Sequence, residues 1–89
     1  MFGEIKESAW SIEHLARHGV SLDEVREAVL ERPVYQHSGR NNTVNVYGRT
    51  FAGRYLFVVL ADQGNGLAFV VTARTMQAKE RRLFHRKAR

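Results

Sequence analysis

Two apolar segments separated by a five-residue polar turn constrain the fold of this chain most strongly. Residues 55–61 (YLFVVLA) and 67–71 (LAFVV) are apolar on both alternating faces, which is typical of strands buried inside a sheet. Residues 62–66 (DQGNG) supply the turn, so the pair is predicted to form a hairpin. Residues 43–49 alternate in polarity and residues 34–36 are short and apolar-rich, so the sheet is predicted to contain about four antiparallel strands.

Two helices are predicted ahead of this sheet. Ser11 is the expected N-cap of the first helix, over residues 12–18, and Gly19 is expected to end it. Residues 21–24 (SLDE) have the capping-box pattern, in which the serine and the glutamate each bond the other's backbone amide. The second helix is expected to run from there to Glu31.

A third, basic helix is predicted after the hairpin. Thr75 is the expected N-cap, and residues 76–87 follow as the helix. Residues 1–9 are compatible with a short edge strand or a helical lead-in. The predicted fold is therefore a single α+β domain over residues 1–89, in which helices cover one apolar face of the sheet. The opposite face is predicted to be polar, with the basic C-terminal segment along its rim.

The charge is concentrated near the C-terminus. The chain of 89 residues has 14 Lys and Arg against 9 Asp and Glu, a net charge of +5. Residues 72–89 alone contain seven basic side chains and one acidic side chain. This segregation favours an anionic partner such as a nucleic acid, although a solvated basic tail would have the same composition.

Composition also restricts the class of protein. The chain has no cysteine, which excludes disulfides and thiolate metal sites. Its longest apolar run, residues 55–61, is too short to span a membrane, so a cytoplasmic protein is expected. His14 and His18 have a spacing that can grip a metal, but no third ligand is evident, and no metal or cofactor is predicted.

Two arginines and a threonine at strand ends form the candidate catalytic site. Thr72 and Arg74 are expected on one face of their strand, and Arg54 opens the neighbouring strand. The two guanidinium groups are predicted to converge where the last helix begins. Arginine can bond two phosphate oxygens at once, and Thr72 could donate to a third. The alternative is a pair of ordinary surface arginines.

Glu80 and His85 are the candidates for proton transfer in RNA cleavage. Glu80 would lie beside the apolar Met76 and Phe84 on the helix, where burial would raise its pKa toward that of a general base. The alternative is a structural ion pair with one of the two arginines. Histidine is the residue type most often used for proton transfer near neutral pH, so His85 is a candidate acid or base; the alternative is a solvated surface residue.

The remaining basic side chains of the last helix suggest a binding surface. Each contact with a phosphate would add salt-dependent affinity, and an acidic protein segment could bind the same stripe. Tyr55 could stack on a base. The predicted RNA- or partner-binding residues are Lys79, Arg81, Arg82, Arg86 and Tyr55.

Four short motifs occur in a familiar order. HGVS at residues 18–21, GR at 53–54, TAR at 72–74 and KERR at 79–82 together resemble the BrnT toxins of type II toxin–antitoxin systems, within the RelE/ParE-like superfamily. The resemblance implies a RelE-like α+β fold and metal-independent ribonuclease activity. It also implies neutralisation by a small antitoxin with a ribbon-helix-helix domain, through which alone DNA would be contacted.

The chain departs from that pattern in two places. Trp10 stands where such toxins usually have lysine, with Lys6 at their usual tryptophan position, and Phe84 stands where tyrosine is common. Both departures remove polar groups, so a basic module that binds nucleic acid or a regulatory protein without cleaving remains an alternative. Poisoning of gyrase, as in ParE-like toxins, is a third hypothesis that no motif here favours.

Overall fold

Five strands and three helices make up the protein, as a computed structural model of residues 2–89 describes it. The elements in chain order are β1 Glu4–Lys6, α1 Ala9–Arg17, α2 Leu22–Leu30, β2 Tyr35–Ser38, β3 Thr43–Arg49, β4 Tyr55–Gly64, β5 Leu67–Thr75 and α3 Ala78–Lys87. The sheet order is β1-β5-β4-β3-β2. β1 pairs parallel to β5 and the other pairs are antiparallel, so the α+β class is confirmed but the sheet has five strands and is mixed.

The two N-terminal helices begin at capping boxes. In α1 the N-cap is Ser8, not Ser11: the Ser11 amide donates to Ser8 Oγ at 3.2 Å, and the Ser8 amide donates to Ser11 Oγ at 2.8 Å. The prediction missed this because a serine at the third helical position can fill the role usually taken by glutamate. The predicted box of Ser21 and Glu24 is confirmed, and Gly19 adopts a φ of +63° after α1.

One face of the sheet forms the main core beneath α1 and α2. Gly48 of β3 lies so close to α2 that a Cβ placed there would be 2.6 Å from the carbonyl carbon of Ala28. The helix backbone therefore rests directly on the strand. The fully or almost fully buried side chains of this core include Leu15, Val25, Val29, Val46, Val58, Leu60 and Val70.

The opposite face carries α3 and a second core, whereas it was predicted to be polar with the basic C-terminal segment only along its rim. Tyr47, Met76 and Phe84 are buried there, and Tyr35 and Leu83 pack against them. The reason is that β4 is apolar on both faces and β3 adds the Tyr47 ring, so the aromatic side also needs a cover. α3 supplies it.

α3 crosses the sheet from β5 to β2. It follows β5 through Met76 and Gln77, and just beyond its end Arg89 exchanges backbone hydrogen bonds with Val34 at 3.1 and 3.2 Å. Gln77 precedes the first helical residue, so the predicted N-cap role of Thr75 is wrong; Thr75 is the last residue of β5. No helix within residues 2–89 is long and apolar enough to cross a membrane.

An irregularity in β5 changes which side chains share a face. Val59 lies opposite Thr72, but the next residue of β4, Leu60, lies opposite Val70, so Val71 is an extra residue. Such a bulge shifts the alternation by one position. Val70 therefore joins the main core, whereas Thr72 lies on the α3 face, although simple alternation predicted them on the same side.

Candidate nucleic-acid interface

Arg54 lies on the α1 and α2 side of the sheet, where it joins three parts of the fold. Its guanidinium donates to the carbonyl oxygens of His18 at 3.1 Å and Gly19 at 2.7 Å. It also bonds both carboxylate oxygens of Glu24 at 3.3 Å and the hydroxyl of Thr75 at 3.3 Å. Backbone hydrogen bonding by Ser21, followed by the Arg54 guanidinium, lowers the pKa of Glu24.

Arg74 lies on the α3 side and pairs with Glu80. Two parallel hydrogen bonds join its guanidinium to the Glu80 carboxylate at 2.8 and 2.9 Å, and the guanidinium carbon lies 4.6 Å from the centre of the Phe57 ring. The two arginines therefore face opposite sides of the sheet, and the prediction that they converge in one phosphate pocket is wrong. Arg54 is the last residue of the turn between β3 and β4 and lies beside the loop that joins α1 to α2. Arg74 lies opposite Phe57 in the strand register and therefore shares the α3 side with it.

Glu80 is held as a carboxylate. Hydrogen bonding by Arg74 lowers its pKa, and the Gln77 amide, which donates to Glu80 at 2.7 Å, acts in the same direction. Burial raises the Glu80 pKa; this effect is smaller than that of Arg74 but larger than that of the Gln77 amide, and the net pKa is lowered. The expected rise of the Glu80 pKa is therefore wrong, and the alternative of a structural ion pair with Arg74 is what the geometry favours.

A cluster of basic side chains surrounds the Tyr55 ring. The guanidinium carbons of Arg49 and Arg81 lie 5.3 and 5.6 Å from its centre, and the His85 ring centre lies 5.4 Å away. We call these four residues the Tyr55 cluster. Sequence reasoning missed Arg49, although pairing of β3 with β4 across a short turn places it directly opposite Tyr55.

The basic groups of the Tyr55 cluster are free of carboxylates. Arg49, Arg81 and His85 are exposed, and none of them takes part in the four salt bridges found among residues 2–89. Two guanidinium groups and one imidazole thus converge on the Tyr55 ring, and none of them is paired with a carboxylate. The predicted outer stripe is also exposed on α3: Lys79, Arg82 and Arg86.

The Tyr55 cluster and the Arg74–Glu80 pair lie at different flanks of α3. Arg81 and His85 are one turn apart on the helix, and Glu80 and Phe84 form the next stripe. Phe84 is buried and packs on Tyr55, with ring centres 5.7 Å apart. The buried side of α3 at Phe84 therefore lies between the Tyr55 cluster and the Arg74–Glu80 pair.

Thr72 lies beyond α3, on the part of the sheet that the helix leaves open. It is half-buried and opposite Val59. On the same side of the sheet, burial and then the Glu80 carboxylate raise the pKa of the Tyr47 hydroxyl. Thr72 and Arg74 thus share a face as predicted, although Arg54 does not join them.

The two histidines with metal-like spacing do not form a site. His14 stacks on the exposed Trp10 with ring centres 4.3 Å apart, and His18 lies just past the end of α1. Among residues 2–89 no three His, Asp or Glu side chains are grouped as a metal ion would require. The absence of a metal or cofactor in the function stays a prediction.

Comparison with known proteins shows a likeness to solved structures. No protein-family model and no curated protein sequence matches the chain. A solved structure, the ribonuclease toxin BrnT of Brucella abortus, superposes with a TM-score of 0.69 at 16% sequence identity, covering 83% of this chain and 96% of that one. The expected resemblance is thereby confirmed at the level of architecture: the chain has the fold of a BrnT toxin.

Proposed function

We propose that this protein is a metal-independent endoribonuclease toxin of a type II toxin–antitoxin system. The observation that carries the proposal is the Tyr55 cluster, in which Arg49, Arg81 and His85 surround one exposed edge of the fold without a carboxylate partner. A phosphodiester is the ligand that such a set of donors suits best. The likeness to a ribonuclease toxin adds support from the fold.

The cluster has the groups that cleavage of RNA by its own 2′-hydroxyl requires. His85 takes the 2′-OH proton while the 2′-oxygen bonds to phosphorus, and the two guanidinium groups stabilise the dianionic phosphorane. The P–O5′ bond then breaks, and the leaving 5′-oxygen takes a proton from the histidinium or from water. The products are a 2′,3′-cyclic phosphate and a 5′-hydroxyl. Glu80 is engaged by Arg74 and has a lowered pKa, so we assign it and Arg74 to positioning α3.

Thr72 and Arg54 have different roles in this proposal. Thr72 lines the approach of the RNA on the open part of the sheet, whereas Arg54 positions the junction of β5 and α3 through Thr75 without touching RNA.

The partner in this proposal is a small antitoxin with a ribbon-helix-helix domain. An acidic segment of it would bind the outer stripe of α3, formed by Lys79, Arg82 and Arg86, and would exclude RNA from the helix. The toxin would contact DNA only through this antitoxin, and both would act in the cytoplasm.

Cleavage assays with purified protein test the proposal. H85A is expected to reduce the cleavage rate about 10²–10⁴-fold, the usual contribution of a proton-transferring group, and R81A is expected to weaken both binding and cleavage. R17A is the matched control, because Arg17 is an exposed arginine of α1, on the other side of the sheet from the basic surface of α3. Wild-type protein that binds RNA but releases it intact, with and without added chelator, would refute the nuclease assignment.

A binding module without catalysis is the second candidate, and a specific observation favours it. The one carboxylate of α3, Glu80, is held by two hydrogen bonds from Arg74 and one from the Gln77 backbone amide, so it is not available to share proton transfer with His85. This candidate predicts steeply salt-dependent binding with no 2′,3′-cyclic phosphate product, and detection of that product would exclude it.

A further inference from the structure

The turn that joins β3 to β4, residues 50–54, exposes a phenylalanine beside the Tyr55 cluster. The Phe51 side chain is 73% exposed, and within residues 2–89 it belongs to neither hydrophobic core. Single apolar side chains are common on protein surfaces, so exposure alone would not call for a function. What distinguishes Phe51 is how firmly its turn is held and which charged groups lie next to it.

Four hydrogen bonds hold the backbone of this turn. The Thr50 amide donates to the Arg54 carbonyl oxygen at 2.8 Å, and the Gly53 amide donates to the Thr50 carbonyl oxygen at 2.9 Å. The Arg54 amide donates to the Thr50 hydroxyl at 3.0 Å. The Phe51 amide donates to the Glu27 carboxylate of α2, also at 3.0 Å. The backbone that carries the phenyl ring is therefore ordered before any ligand binds, and it does not depend on the Arg54 side chain.

Arg49 connects this turn to the Tyr55 cluster. Its guanidinium carbon lies 5.3 Å from the centre of the Tyr55 ring, and a Cβ placed on Gly53 would be 3.4 Å from its Nη2. The Arg49 side chain thus lies against both the ring and the turn. Phe51 follows Arg49 by two residues, which limits the distance between their Cα atoms to about 7 Å. When Arg49 binds a phosphate, the base of the same nucleotide is therefore within reach of the Phe51 ring.

The charges on the two sides of the turn select what can lie on Phe51. On the α3 side Arg49 is exposed and takes part in none of the salt bridges found among residues 2–89. On the α2 side the Glu27 carboxylate lies at the Phe51 amide. A phosphate is attracted by Arg49 and repelled by Glu27. A sugar–phosphate chain is therefore restricted to the α3 side, and the group that can cover the phenyl ring is an uncharged planar one attached to that chain.

We propose that Phe51 stacks on the base of a nucleotide whose phosphate is bound at the Tyr55 cluster. The inference rests on the proposed function, because that function places a phosphodiester at the cluster. A phenyl ring stacks on any base, since every base has a flat π-face. Because the turn is already ordered, binding does not incur the cost of fixing its backbone. Phe51 is thus a substrate-binding residue, which holds the nucleotide beside His85 and takes no part in proton transfer.

Equilibrium binding of two labelled strands by the full chain tests this inference. One probe is a 12-nucleotide RNA of mixed sequence whose 2′-O-methyl groups block cleavage. The other is a strand of the same length and charge in which abasic residues replace every nucleotide. F51A is expected to weaken binding of the first strand about 5- to 150-fold, the usual loss for one stacked base. It is expected to leave binding of the abasic strand unchanged.

Three further variants separate the ring from charge and from exposure. F51W keeps a ring and is expected to retain the binding that F51A loses. R81A is expected to weaken both strands equally, because it removes a phosphate contact and no base contact. W10A is the matched control: Trp10 is an aromatic residue, 64% exposed, on α1 and therefore on the other side of the sheet. Because Phe51 is exposed, F51A should unfold at the wild-type temperature, and F51L, which also lacks the ring, repeats the comparison.

The outcomes for Phe51 and for the nuclease are distinguishable. Undiminished binding of the base-bearing strand by F51A and F51L, or equal losses on both strands, would overturn the base contact. Cleavage of unmodified RNA by the wild-type protein would then leave the nuclease proposal intact. Loss of self-association in F51A, with RNA binding unchanged, would assign Phe51 to a contact between copies and would also overturn the inference. A loss confined to the base-bearing strand, without cleavage of unmodified RNA by the wild-type protein, would support the base contact and refute the nuclease. Absence of RNA binding by the wild-type protein would refute both.

Discussion

Replacing Arg54 tests whether this arginine stabilises the fold or contacts RNA. The side chain is 30% exposed and bonds two backbone carbonyls, the Glu24 carboxylate and the Thr75 hydroxyl. We expect R54A to remove all of these contacts and to leave RNA affinity unchanged once the variant is folded. The reason is that the guanidinium faces α1 and α2, not the Tyr55 cluster.

The size of the loss follows from the contacts. A hydrogen bond to a charged group contributes about 1.5–3 kcal/mol when buried, whereas an exposed ion pair contributes about 0–1 kcal/mol. With the Arg54 side chain partly exposed, we expect the free energy of unfolding to fall by about 3 kcal/mol. For a domain of this size the midpoint of thermal unfolding should fall on the order of 10–20 °C.

Two measurements on the same samples check this reasoning. Thermal unfolding followed by circular dichroism gives the stability, and RNA binding at a temperature well below the new midpoint gives the affinity. R82A is the control, because Arg82 is exposed on α3 and should affect stability little. If R54A unfolds at the wild-type temperature but no longer binds RNA, the structural role assigned to Arg54 is wrong.

Three further predictions concern stability and exposure. The Glu80 pKa is lowered in the folded state, so its stabilising effect is complete above the ordinary value of 4.5 and is lost as the pH falls through the folded pKa; E80Q should therefore flatten this acid-side loss in pH-dependent unfolding experiments. G48A should destabilise the fold by about 3 kcal/mol or more in denaturant titrations, because the α2 backbone cannot yield, whereas G3A, where a Cβ meets nothing within 4 Å, should be neutral. Trp10, the single tryptophan and 64% exposed, should be quenched readily by iodide, and protected fluorescence would contradict its position.

Local sequence signals predicted most of the fold. The capping box at Ser21, the glycine that ends α1 and the apolar hairpin strands each depend on neighbours close in the chain, and each is confirmed. The start of α1 was misplaced because two nearby serines, Ser8 and Ser11, offered the same signal.

The predictions that were wrong concerned the face of the sheet on which a side chain lies. An extra residue at Val71 reverses alternation, and strands that are apolar on both faces do not reveal which helix covers which side. The side occupied by Arg54 is set by the position of the α1–α2 loop, a contact across 35 residues to Gly19 that periodicity cannot supply. Arg74 was predicted on the correct strand end, but its pairing with Glu80 was only one of two alternatives.

The placement of α3 has a consequence for inhibition. α3 lies across the sheet, with the unpaired basic side chains of the Tyr55 cluster along one side of the helix and the rings of Tyr47 and Phe57 along the other. A compact ligand that binds on one side of α3 would leave the surface on the other side accessible. For the antitoxin that we propose, we therefore expect an elongated segment that passes over the exposed surface of α3, and a ligand that binds one side of the helix alone should block RNA binding only in part.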